Sequence, residues 1–144
     1  MTNPPARSAS QLSLPATTHS YLMRAAESLS EAVAATEATT RYACAHVAAL
    51  RAAAALLAAR ARPAVPTRRK PQKNAWVLLA EVAPELAEWA SFFAAGAGKR
   101  AAAEAGIPRV VSPREADDLL RAAEQFVTVV ESSLGLAYQP PLAA

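Results

Sequence analysis

Apolar residues recur every three or four positions along most of this chain, the period of a helix with one face turned inward. Tyr21, Leu22, Ala25, Leu29, Ala32 and Val33 form the first such stripe, with Arg24, Glu27, Ser28 and Glu31 mostly off it. Thr17 or Thr18 can cap this helix, which ends around Ala35. A short polar stretch, Thr36 to Thr40, separates it from a second helix over about Thr39 to Ala61. That helix contains no Gly and no Pro. Tyr42, Val47, Leu50, Leu56 and Leu57 supply its bulk and alanines fill the rest. The short connection makes the two helices antiparallel neighbours, and the second is the central helix of a bundle.

Asn74 is a suitable N-cap for a third helix, whose apolar face is Trp76, Val77, Leu78, Leu79 and Val82. Pro84 lacks a backbone donor and biases Ala83 away from helical angles, so a kink or short break is expected there. The helix resumes through Leu86, Trp89, Phe92 and Phe93 to about Glu104, where Gly106 and Pro108 end it. Gly96 and Gly98 weaken this run and let another helix come close. The last helix carries the clearest signals. Ser112, Pro113 and Glu115 form a capping box with Pro at the first helical position. Ala116, Leu119, Leu120, Ala123, Phe126, Val127, Val130 and Leu134 make its buried face, and Gly135 closes it.

These elements predict an all-α, four- to five-helix up-and-down bundle over residues 17–135. Residues 1–16 are rich in Ser, Thr, Pro and Ala without a period and read as a disordered arm; residues 136–144 read as a loose tail. The connector Ala61–Lys73 holds three prolines and is expected to be an exposed loop. The length of 144 residues suits one domain with a real core. Much of the 53% apolar fraction is alanine, so the core should be tight helix-on-helix packing with few bulky groups.

Net charge is only +3, which does not by itself indicate a nucleic-acid partner. Its distribution is more telling. Arg60, Arg62, Arg68, Arg69, Lys70 and Lys73 cluster around the connector without an acid, leaving the helices slightly acidic. Arg68, Arg69 and Lys70 are therefore the candidate phosphate contacts, although no aromatics are interleaved for base stacking. Cys44 is the single cysteine, which excludes an intrachain disulfide and a multi-cysteine zinc site and suggests a small core residue. The start of the chain lacks the apolar stretch of a secretory signal, and charges interrupt the apolar helices, so a cytoplasmic protein without a membrane span is expected.

One spacing could carry chemistry. Arg41 and His46 lie five positions apart, roughly 140° around a helix, so they act together only if the arginine bends or a second chain contributes. A histidine can serve as general acid or base near neutrality, and a guanidinium can hold a phosphate bidentately. The alternative is structural: Arg41 pairing with Glu37, and His46 set in the helix interface with Tyr42 and Leu50. Gly96 to Arg100 fails as a phosphate loop, because no strand precedes it and Lys99 is followed by Arg. The acids of the last helix form a solvated face, and no metal or cofactor is expected.

The run RYACAHVAALRAAAALL, followed by NAWVLLAEVAPELAEWASFFAAGAGKRAAAEAG and a capped last helix, resembles an actinobacterial family of HEPN domains, the nucleotide-binding domains of higher eukaryotes and prokaryotes. The resemblance covers about residues 18–135. It implies a helical bundle that dimerises, and an RNA or nucleotide partner. Many members of the superfamily are metal-independent ribonucleases whose motif is Arg, four to six residues, then His, which Arg41 and His46 match. On that reading His46 would be the general acid or base and Arg41 would grip the scissile phosphate. Attack by the ribose 2′-hydroxyl would leave a cyclic phosphate. The resemblance equally admits a non-catalytic interaction or dimerisation module, or a regulatory, antitoxin-like subunit, working with a protein encoded nearby.

Overall fold

A computed structural model of the chain describes residues 14–60 and 74–136. The basic connector with Arg68, Arg69 and Lys70, most of the N-terminal arm and all but the first residue of the tail lie outside the described residues. Among the described residues six α-helices follow in order: α1 (Ala16–Ala34), α2 (Ala38–Arg60), α3 (Ala75–Val82), α4 (Ala87–Ala95), α5 (Ala97–Glu104) and α6 (Pro113–Ser133). A single 3₁₀ turn, Pro84–Leu86, joins α3 to α4. The fold is all-helical, as the periodicity predicts, with α3, α4 and α5 as pieces of one broken arm.

Side-chain bonds between the helices reveal their directions. Thr18 donates to the Ala55 carbonyl, Arg51 to Ser28, and Arg41 to the Ala32 carbonyl, so α1 and α2 run antiparallel. Arg41 meets Asp117 near the start of α6, and Arg60 meets the Ser133 carbonyl at its end, so α2 and α6 run parallel. The same Arg60 reaches Glu85, while Tyr42 lies against Gly96, so the α4 side of the broken arm runs opposite to α2. The result is an up-and-down bundle with α2 at its centre, contacting α1, α3, α5 and α6.

Alanine explains how α2 can occupy that place. Ala45, Ala48, Ala49, Ala52, Ala53 and Ala55 are fully buried and let neighbouring backbones come close. Leu56 is the one large aliphatic side chain among the buried residues of α2. Bulk comes from the other elements. Trp76, Phe93 and Phe126 form an aromatic cluster, with Trp76 stacked on Phe93 at 5.3 Å and Phe126 tilted against Phe93 at 5.1 Å. Among the described residues α2 is the one helix long and apolar enough to cross a membrane, and more than half of that stretch is buried inside the bundle. Packing against other helices accounts for its composition.

The ends of the helices follow local chemistry, with three departures. Asn74 caps α3 by accepting from Val77 N–H at 2.9 Å, and the Ser112–Glu115 capping box is complete. The first departure is α1, whose N-cap is Pro15 rather than a threonine. Thr18 is instead buried and hydrogen-bonded across to α2. The second concerns the apolar faces: Val33, Val77 and Phe92, expected inward, are exposed, Val33 by 64%, while Ser28 from the polar set is buried under Arg51. The third is the long helix expected up to Glu104, which breaks at Gly96 into α4 and α5. A β-carbon on Gly96 would stand 2.9 Å from Tyr42 Oη, so any larger residue would have to push the buried Tyr42 ring aside for the chain to pass this close to α2.

Candidate functional site

Arg41 and His46 leave α2 in different directions, as their angular separation on a helix requires. Arg41 points to the end of α1. Its Nη2 donates to the Ala35 carbonyl at 2.5 Å and its Nε to the Ala32 carbonyl at 3.3 Å. Ala32 lies in the last turn of α1, where its oxygen also accepts from the N–H of the capping Ala35 at 3.3 Å, and the Ala35 carbonyl lies just beyond the helix. A cation there also complements the negative end of the helix dipole. The remaining Nη1 donates to Asp117 Oδ1 of α6 at 2.6 Å. One guanidinium thus ties three helices together. Glu37, the partner expected from spacing, contributes its backbone carbonyl to the Arg41 N–H instead.

His46 points to the other side, into the aromatic cluster. It is 1% exposed. The Trp76 and Phe93 rings meet it edge-on, with centroids 6.0 and 6.1 Å away. Its Nε2 lies 2.8 Å from the Phe93 carbonyl. A carbonyl only accepts, so Nε2 carries the proton and Nδ1 is left with its lone pair. That Nδ1 is buried and has no hydrogen-bond partner. Burial pushes the imidazole below its ordinary pKa; the Phe93 hydrogen bond opposes this, and the nearby Arg100 cation adds to it.

The two residues therefore do not share a solvent cleft within one chain. Arg41 is partly open to water but its donors are directed at backbone and carboxylate oxygens. His46 has the neutral form that a general base needs, but a buried position in which no substrate proton is within reach. Tyr42, one turn before His46, is also buried, and burial raises its phenol above the ordinary value.

Other polar groups cluster on the opposite flank. Ser28, Glu31, Cys44, Val47, Arg51 and Glu104 line a shallow groove between α1, α2 and α5. Arg51 is anchored there by Ser28 Oγ at 2.6 Å and by the Arg24 carbonyl. Cys44 is half-buried beside Glu31 rather than deep in the core. Burial and the Glu31 carboxylate raise its thiol, which disfavours the reactive thiolate. A second groove, between α3 and α4, has a largely apolar lining from Trp76, Val77, Ala80, Ala90 and Ala94. Val77 is 44% exposed at this groove, and Phe92 is 51% exposed on α4. Among the described residues no group of three or more metal-ligating side chains is brought together.

Asp117 and the Phe93 carbonyl are the partners that sequence reasoning missed. Asp117 lies 76 positions from Arg41, and reads in sequence as one of several solvated acids. A carbonyl carries no residue signature at all. A family model for SAV_6107-like HEPN matches residues 32–131. No curated protein and no solved structure matches the chain.

Proposed function

Since the chain belongs to the SAV_6107-like HEPN family, we propose that it serves as a non-catalytic interaction module of that family. The observation that carries this reading is the burial of His46, 1% exposed with Nε2 held by the Phe93 carbonyl. A ribonuclease using Arg41 and His46 needs both side chains free to face one phosphate. In this chain their donors serve the packing of α1, α4 and α6 onto α2. The test is to incubate the full chain with single-stranded RNA in EDTA beside a His46→Gln variant. No cleavage that depends on His46 is expected. Cleavage lost in the variant while its helicity is retained would overturn the reading and restore the metal-independent nuclease.

The partner that family membership favours is a second copy of this chain. The α3–α4 groove and the exposed Phe92 offer apolar area for it. Light scattering at micromolar concentration should report a dimer, and Phe92→Glu should shift it to monomer. A monomeric wild-type chain would point to a partner of another kind.

A second reading rests on charge. Arg60, Arg62, Arg68, Arg69, Lys70 and Lys73 lie in one stretch without an acid. That stretch would let the module touch nucleic-acid phosphates without cutting them. If Arg68, Arg69 and Lys70 each neutralise one phosphate, the logarithm of RNA affinity should fall against the logarithm of salt with a slope of about −2. A flat response would remove this contact.

A further inference from the structure

We propose that His46 is a proton-operated latch holding α5 against α2, and that protonation at its Nδ1 opens the α4–α5 joint and uncovers the Tyr42–His46 face of α2. The joint depends on one oxygen. The Phe93 carbonyl accepts from Gly96 N–H at 3.0 Å and from His46 Nε2–H at 2.8 Å. The first bond turns the chain from α4 into α5, and the second pins that turn to the central helix. Gly96 itself rests on Tyr42 Oη and His46 Cδ2, so α5 departs from directly above the imidazole.

Little else holds α5 down. Ala103 is its single buried residue. Lys99 pairs with Glu115 of α6, and Arg100 with Glu104 at 3.5 Å within α5; all four side chains are partly open to water. Surface pairs of this kind contribute little. Arg100 Nε is buried without a partner, a cost that opening would relieve by admitting water. An element with so few buried contacts belongs at the low end of local stability.

The imidazole supplies the switch. In the closed state Nδ1 has no acceptor, so a proton placed there is a buried, unpaired donor on a cation. The surroundings do not compensate. α3 and α4 meet His46 with the rings of Trp76 and Phe93. The charged groups that face it are Arg100 and Glu104 of α5, and Arg100 opposes the proton while Glu104 favours it. Tyr42 lies one turn earlier on its own helix, uncharged, with Lys99 and Glu115 acting on its far side. Burial outweighs these contributions and disfavours the imidazolium. The closed state therefore binds the neutral ring, the open state binds both forms, and acid shifts the population towards open. With one proton involved, the open-to-closed ratio should rise about tenfold per pH unit below the pKa of a free histidine, about 6.5.

The test is native-state amide hydrogen exchange on the full chain between pH 5 and 8, corrected for intrinsic exchange, with a His46→Gln variant alongside. A glutamine can donate to the Phe93 carbonyl but does not titrate. Protection of the α5 amides should fall about tenfold per pH unit in the wild type while α2 and α6 stay protected. It should be flat in the variant. Should the variant not fold, an NMR titration of the wild-type imidazole decides, with His19 as the internal comparison: His46 must protonate in step with α5 opening. The latch is overturned if α5 protection is independent of pH or falls equally in His46→Gln. It is also overturned if the α5 amides open only together with α2 and α6, at the same opening free energy, or if His46 protonates with α5 still closed.

Discussion

Gly96, Tyr42 and His46 meet at one point, where a single absent methyl decides whether α5 can follow α4. A β-carbon there would sit 2.9 Å from Tyr42 Oη and 3.4 Å from His46 Cδ2. Gly96→Ala should therefore destabilise the fold by about 1–3 kcal/mol, the usual cost of overfilling a packed site. Adding Tyr42→Phe removes the clashing oxygen and should recover part of that loss. Chemical denaturation of the two single variants and the double variant measures the coupling. The same neighbourhood makes stability depend on pH. The folded pKa of His46 lies below its unfolded value, so below about pH 6.5 the unfolded chain binds the extra proton. This contribution is fully present above that pH and is lost as pH falls towards the folded value. Glu85 and Glu115, held low by Arg60 and Lys99, act in a separate window. Their contribution is present above the ordinary glutamate value of 4.5 and is lost as pH falls through their depressed values. Urea midpoints measured from pH 8 to 3 should show the two declines apart, and His46→Gln should remove the upper one only.

Among the elements, α6 was the most legible, because every signal for it is local. Ser112, Pro113 and Glu115 lie within four positions, and the structure shows both bonds of the box, Ser112 Oγ to Glu115 N–H at 3.1 Å and Glu115 Oε1 to Ser112 N–H at 3.4 Å. Ser112→Ala should cost about 1 kcal/mol, read as a lowered thermal midpoint. The broken arm was half legible. Pro84 announces its own break, since proline lacks the donor that a helix needs. Gly96 does not, because glycine is compatible with helix at a modest cost, and what forces the turn is Tyr42 on another element. The exchange of Ser28 and Val33 between buried and exposed positions has a similar cause. Periodicity assigned faces by polarity, but Arg51 reaches across from α2 to Ser28, so the inward position goes to the hydroxyl. Arg41 shows the limit most clearly. Its residue type and spacing were visible, but its partners are two carbonyls of α1 and an acid of α6. Only the folded arrangement brings them together.

At the scale of the whole molecule, fold class follows from pattern while function depends on where the pattern's exceptions point. The histidine that spacing singled out is turned into the core, and the arginine binds the helices to one another. α2 is itself basic, with Arg41, Arg51 and Arg60 and no acid, and each of these arginines bonds to a neighbouring element. The alanine face of α2 has a further consequence, for heat. Alanine removes less hydrocarbon from water than leucine does, and the rise in heat capacity on unfolding scales with the hydrocarbon exposed. Calorimetry should return a heat-capacity change below the ordinary ~12–15 cal/mol/K per residue. The stability curve is then broad and shallow, so this small bundle should keep nearly the same margin from the cold to moderate warmth.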